Sequence, residues 1–126
     1  GNMGLVYREK GDLNKALECH SKALEVHRRI GHSLGEAIQL ANIGLVYRAN
    51  GTLRDALTHN RQALRIFIST GATMLADRVY RELKEVTEQI EAAGIELSEE
   101  DRRAIAELTE NHEKLKSEAS APPSDE

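Results

Sequence analysis

The chain is expected to be all-α, built from antiparallel helix pairs stacked side by side, and three observations predict it. The first is internal repetition. Residues 1–17 read GNMGLVYREKGDLNKAL and residues 41–57 read ANIGLVYRANGTLRDAL, an offset of 40, and 13 positions are identical when 1–40 is laid on 41–80. A fixed period of this size marks a repeat architecture, in which each unit buries its apolar face only against a neighbour. The second is apolar spacing of helical period between punctuating glycines. The third is composition: three Tyr, one Phe and no Trp leave a core of Ala, Leu, Ile and Val, which suits close-packed helices better than a sandwich or barrel.

The elements follow in order. Residues 1–10 read as the last part of a helix, closed by Gly11 just past its C-terminus. Asp12 is placed to cap a helix over about 13–30, with Leu13, Ala16, Leu17, Ala23, Leu24 and Ile30 on one stripe. Gly31 closes it, and Ser33 with Glu36 three residues on has the form of a capping box that opens a helix to about Asn50. Gly51 and Thr52 repeat the Gly11–Asp12 punctuation before a helix from Leu53 to about Thr70, and Thr73 follows Gly71 as a further cap. The span 74–93 keeps helical spacing through Leu75, Val79, Leu83, Val86 and Ile90. After Gly94, Ser98 with Asp101 opens a last helix to about 117, with Ile105, Leu108 and Leu115 on a narrow face. Residues 118–126, EASAPPSDE, are small, acidic and proline-containing, and are expected to be disordered.

At 126 residues the chain has the size of one domain. Residues 1–95 carry 13 basic and 11 acidic side chains, whereas 96–126 carry 4 and 10. The repeats are thus mildly basic and the C-terminal segment acidic, and neither approaches the basic excess that nucleic-acid binding requires. Cys19 is the only cysteine, so no internal disulfide forms and a cytoplasmic, intracellular setting is the simpler expectation. No apolar run nears the roughly 20 residues of a membrane span, and the first residues already belong to a repeat, so a piece of a longer protein is expected.

Gly4 and Gly44 fall in mid-helix, where glycine costs about 1 kcal/mol relative to alanine. Ala16 and Ala56 follow each by 12 positions, on the partner helix. A glycine facing an alanine lets two antiparallel helices approach closely, with Tyr7 and Tyr47 one turn on and Ala23 and Ala63 continuing the seam. This pattern, Gly4, Tyr7, Gly11, Ala16, His20, Ala23 and again Gly44, Tyr47, Gly51, Ala56, Asn60, Ala63, resembles the tetratricopeptide repeat. The 40-residue period exceeds the family's usual 34 or so and is similar to the long-helix variety of kinesin light chain and related adaptors.

The resemblance implies a right-handed superhelix, an α-solenoid fragment, with two repeats over 1–71, the first truncated. It fades beyond that, because Lys84 and Thr87 stand at the Gly and Tyr phases. Residues 72–94 are therefore expected as a diverged capping helix and 95–117 as an acidic amphipathic helix. It further implies that the first helix of each pair lines a concave groove that binds a protein or peptide. By phase that groove would hold Asn2, Leu5, Arg8 and Glu9, then Ile38, Ala41, Asn42, Leu45, Arg48 and Ala49, and from 74–93 Arg78, Arg81 and Glu85. The matching arginines suggest an acidic partner, since guanidinium forks pair with carboxylates and phosphates; simple solvation is the bland alternative.

No cofactor is expected. His20 and His27 are seven apart, too far along the helix to chelate one ion comfortably, and no i, i+4 histidine pair occurs, so no metal site is expected. Cys19 matches His59 in the repeat and reads as inert. No catalytic constellation can be picked out, so the chain is expected not to be an enzyme. The helix over 98–117 is free to dock on the stack, pair with another chain, or fold its acidic face over the groove. Exposed stack ends make a homo-oligomer the alternative reading of the whole chain.

Overall fold

A computed structural model describes residues 12–120. Among these, five helices follow one another: α1 (Leu13–Arg29), α2 (Ser33–Ala49), α3 (Leu53–Ser69), α4 (Thr73–Ala92) and α5 (Glu99–Ser120). No strand occurs among the described residues. Successive helices pack on one another, α2 with α3 most extensively, and α5 lies against both α3 and α4. The fold is an all-α helical repeat stack.

The turns are built alike. Gly51 has φ +80°, as Gly31, Gly71 and Gly94 also have positive φ. Its N–H bonds to the Arg48 carbonyl at 3.0 Å, and Thr52 N–H to the Tyr47 carbonyl at 2.9 Å. This paired bonding satisfies the last free carbonyls of α2 and needs a left-handed residue that glycine supplies at no steric cost. The chain thereby reverses in a few residues and sets each helix antiparallel to the last.

The starts differ from expectation. His32, not Ser33, precedes α2, and Ala72, not Thr73, precedes α4; Asp12 and Thr52 hold the N-cap position before α1 and α3, yet none of the four makes a side-chain cap hydrogen bond. Glu36 reaches back to Arg28 instead, at 3.2 Å. With the preceding turn already locked by its backbone bonds, the first helical bonds such as Glu36 N–H to the His32 carbonyl at 3.0 Å are made without help from side chains. Only Ser98 caps as expected, its hydroxyl accepting from Asp101 N–H at 3.0 Å. The last helix also runs on to Ser120, so residues 118–120 are helical where a tail was expected; residues 121–126 lie outside the described residues.

The core is one continuous seam. Leu40, Leu57, Leu64, Phe67, Leu83, Val86 and Ile90 are buried along it, with Ala16, Ala37, Ala56, Ala63 and Ala76 fully enclosed where helices cross. Gly44 faces α3 as its spacing predicts: a Cβ there would lie 3.4 Å from the Ala56 carbonyl oxygen and 2.5 Å from Asn60 Oδ1. Tyr47 packs on the same helix, its ring 5.2 Å from that of His59. Gly4, Tyr7 and Gly11 of the first copy lie outside the described residues.

Candidate binding groove

Helices α2 and α4 lie on either side of a shallow groove floored by α3. Ile38, Ala41, Asn42 and Leu45 reach it from α2, Leu75, Arg78, Val79 and Glu82 from α4, and Asn60 and Phe67 from below, around a cavity of about 140 Å³. The spacing i, i+3 or i+4, i+7 on each flanking helix keeps these side chains on one face. Ile38 is 37 % exposed, although a side chain of that kind gains by burial.

One end of the groove is tied shut by charge. Arg48 donates through Nη1 to Glu82 at 2.5 Å and to Glu85 at 2.9 Å, and through Nε to Gln89 at 2.6 Å. Burial alone would pull its pKa down, but the hydrogen bonds it donates to Glu82 and Glu85 and the attraction of their charges outweigh that and raise it above the ordinary guanidinium value. Arg48 was expected as a free anion receptor; instead its fork spans α2 and α4 with two carboxylates already on it. Arg78 is exposed and has no ion-pair partner among the described residues.

Of the expected groove residues, Ile38, Ala41, Asn42, Leu45 and Arg78 converge, and Arg48 joins them through Glu82. Arg81 does not. It pairs with Asp77 at 3.7 Å and borders a different hollow with Tyr80, Lys84 and, from α5, His112 and Lys116. Three residues on from Arg78, it is turned about 60° round the helix, toward α5. Asn2, Leu5, Arg8 and Glu9 lie outside the described residues. Sequence reasoning missed Glu82 and Gln89, which share the α4 face of Glu85 at i, i+3 and i+7 and could have been found by that stripe. Asn60 was read as a motif residue only, with no sign of its position on the groove floor.

The acidic helix does not cover the groove. Among the described residues, the charged and ring contacts that α5 makes with other helices go to α3 and α4: Asp101 pairs with Arg61 at 2.8 Å and Lys116 with Asp77 at 3.8 Å, and His112 Nε2 lies 3.3 Å from Asp77. His112 is buried and stacks on Tyr80 with centroids 4.2 Å apart. Burial lowers its pKa, the Asp77 charge only partly offsetting this and Lys116 adding to it, so the imidazole is neutral at pH 7.

Among the described residues, no group of three or more His, Cys, Asp or Glu could hold a metal ion. His27 and His32 do meet, Nδ1 to Nδ1 at 3.0 Å, over Gly35. No described helix is long and apolar enough to cross a membrane. Comparison with curated proteins and with solved structures gives no match. The family model of the tetratricopeptide repeat matches residues 1–69, more than half of the sequence, and the chain belongs to the tetratricopeptide repeat family.

Proposed function

We propose that the chain is a non-enzymatic module that takes a peptide or helical segment of another protein in the groove between α2 and α4. Tetratricopeptide repeats generally mediate protein–protein interactions. The observation that carries the reading for this chain is the half-open apolar slot itself, with Ile38 exposed at its mouth. Its cavity of about 140 Å³ is well below the roughly 300–1,000 Å³ of small-molecule sites. It suits one inserted side chain of a larger partner, as an anchor residue does in a protein interface. The α4 wall carries both signs, Arg78 followed along the same helix by Glu82 and Glu85, so the partner need not be acidic. An intracellular scaffold or adaptor would use such a module.

Display of random dodecapeptides against the immobilised chain, followed by isothermal titration of the selected peptides, tests this. Ile38→Asp should weaken binding at least tenfold with the melting temperature little changed. Equal affinity for the Ile38→Asp chain removes the groove from the binding surface.

Self-association is the second reading. Val26 on α1 and Ile30 just past it are 53 % and 67 % exposed, an apolar pair at the first described helix that a second copy would cover. Light scattering across a hundredfold concentration range decides it, a constant 14.0 kDa mass going against the dimer.

A further inference from the structure

The two repeats treat the same buried position differently. His20 and Asn60 are 40 residues apart and therefore equivalent, and so are Gln39 and Val79. In the first repeat His20 is buried, and its Nδ1 meets Gln39 Oε1 at 2.9 Å, a bond from α1 to α2. In the second repeat Asn60 is 1 % exposed, but the residue at the Gln39 phase is Val79, which has no polar atom to offer. Neither Nδ2 nor Oδ1 of Asn60 has a hydrogen-bond partner among the described residues. Asn60 and Val79 border the same cavity, the slot of the α2–α4 groove. A polar pair satisfied within the stack in one repeat is thus broken in the next, at a residue that floors the groove and whose polar atoms are closed off from solvent.

A buried amide left without partners is strongly disfavoured, whereas an apolar residue of the same shape would be neutral or better. Stability alone therefore does not account for Asn60. We propose that Asn60 is a specificity-determining residue of the groove, and that the slot accepts a glutamine or asparagine side chain of the bound segment. The inserted carboxamide would do for Asn60 what Gln39 does for His20, reaching it from the slot beside Val79. Its N–H₂ donates to Asn60 Oδ1 and its carbonyl oxygen accepts from Asn60 Nδ2, a two-bond pairing that a purely apolar or charged side chain cannot make. The terminal torsion of asparagine is soft, so the group can turn to face the slot. The walls fit this occupant: Ala41, Leu45 and Leu75 would hold the methylenes of a glutamine, and no charged group is needed at the tip. Sites built to hydrogen-bond one group reject analogues lacking it far more strongly than apolar pockets reject a methylene.

This inference rests on the groove reading, and one experiment separates the two. Random dodecapeptides are displayed against the full chain and against Asn60→Leu, and the selected peptides are titrated against both and against Ile38→Asp. The expected result is Gln or Asn enriched at one position among peptides selected on the unaltered chain. Those peptides should bind Asn60→Leu at least tenfold more weakly, and Asn60→Leu should itself select Leu or Met there. Replacing the selected carboxamide by Leu should cost the same factor on the unaltered chain and little on Asn60→Leu, a coupling that mere misfolding would not produce. A thermal melt of Asn60→Leu no lower than that of the unaltered chain shows the variant folded; if it is lower, Asn60→Met serves in its place. If the selected peptides lose affinity on Ile38→Asp but show no carboxamide preference and bind Asn60→Leu equally, the inference fails and the groove stands. If no selected peptide is sensitive to Ile38→Asp, or none is selected, both fail.

Discussion

Gly44 shows what a single side chain decides. Its missing Cβ leaves room for Asn60 Oδ1 and the Ala56 carbonyl, and the close contact of α2 with α3 offsets the roughly 1 kcal/mol that glycine costs in mid-helix. Gly44→Val is expected to destabilise by about 1–3 kcal/mol through overpacking, read by urea unfolding. Gly44→Ala should cost less, because the gain in helix propensity opposes the displacement of Asn60. In an Asn60→Ala background the same change should become stabilising, since the nearest obstacle is then gone. A double-mutant cycle with no coupling between 44 and 60 would show that they do not touch. At Gly35, a Cβ would lie 2.3 Å from His27 Nδ1 and 2.6 Å from His32 Nδ1, a constraint that no repeat signature announces, since Leu75 stands at the equivalent position.

Among the elements, α5 docks through a buried histidine. His112 faces Asp77, Tyr80 and Lys84 from α4 and lies near Glu113 and Lys116 of its own helix. Because burial holds its folded pKa below the unfolded value of about 6.5, the unfolded state binds the proton more readily. Stability from this group is therefore intact above pH 6.5 and falls as pH drops through 6.5 toward the folded pKa. Thermal melts at pH 7.5 and 5.0 should show a loss on acidification that is smaller in His112→Phe; identical losses in the two chains would take His112 out of the account. The charged end of the groove behaves otherwise. Arg48 links α2 and α4 through Glu82, Glu85 and Gln89, so Arg48→Ala is expected to leave these carboxylates unpaired and loosen α4. Hydrogen exchange should report that loosening as faster exchange in α4, whereas a change confined to α2 would place the network's effect elsewhere.

On the scale of the whole molecule, a stack in which each helix touches mainly its neighbours gains stability by nearest-neighbour increments. Helix α5 closes the C-terminal side by burying Leu108 and His112 against α3 and α4. Deleting residues 95–126 should lower the melting temperature by several degrees while far-ultraviolet circular dichroism still shows α1–α4 helical. It should leave affinity for a groove peptide within about twofold, because among the described residues the polar contacts of α5 with other helices lie on α3 and α4. A melt as high as that of the full chain would mean that α5 adds nothing to the stack.

The sequence by itself determined the repeat, the helix count within the described residues, the glycine turns and the Gly44–Ala56 contact. These are short-range or periodic facts: a 40-residue copy, a 3.6-residue stripe and a residue that tolerates positive φ are all written along the chain. What only the tertiary structure decided is which side chains meet across helices. Arg48 looked like a free cation because its spacing placed it on the groove, but its partners come from 34 and 37 residues away, at Glu82 and Glu85. Arg81 shared the helix of Arg78 yet turned toward α5. Asn60 looked like a motif position until the loss of its Gln39 equivalent could be seen in three dimensions. Pairing of this kind depends on helix rotation and crossing, which the apolar pattern constrains only to within a face, so the scaffold was legible and the chemistry of the groove was not.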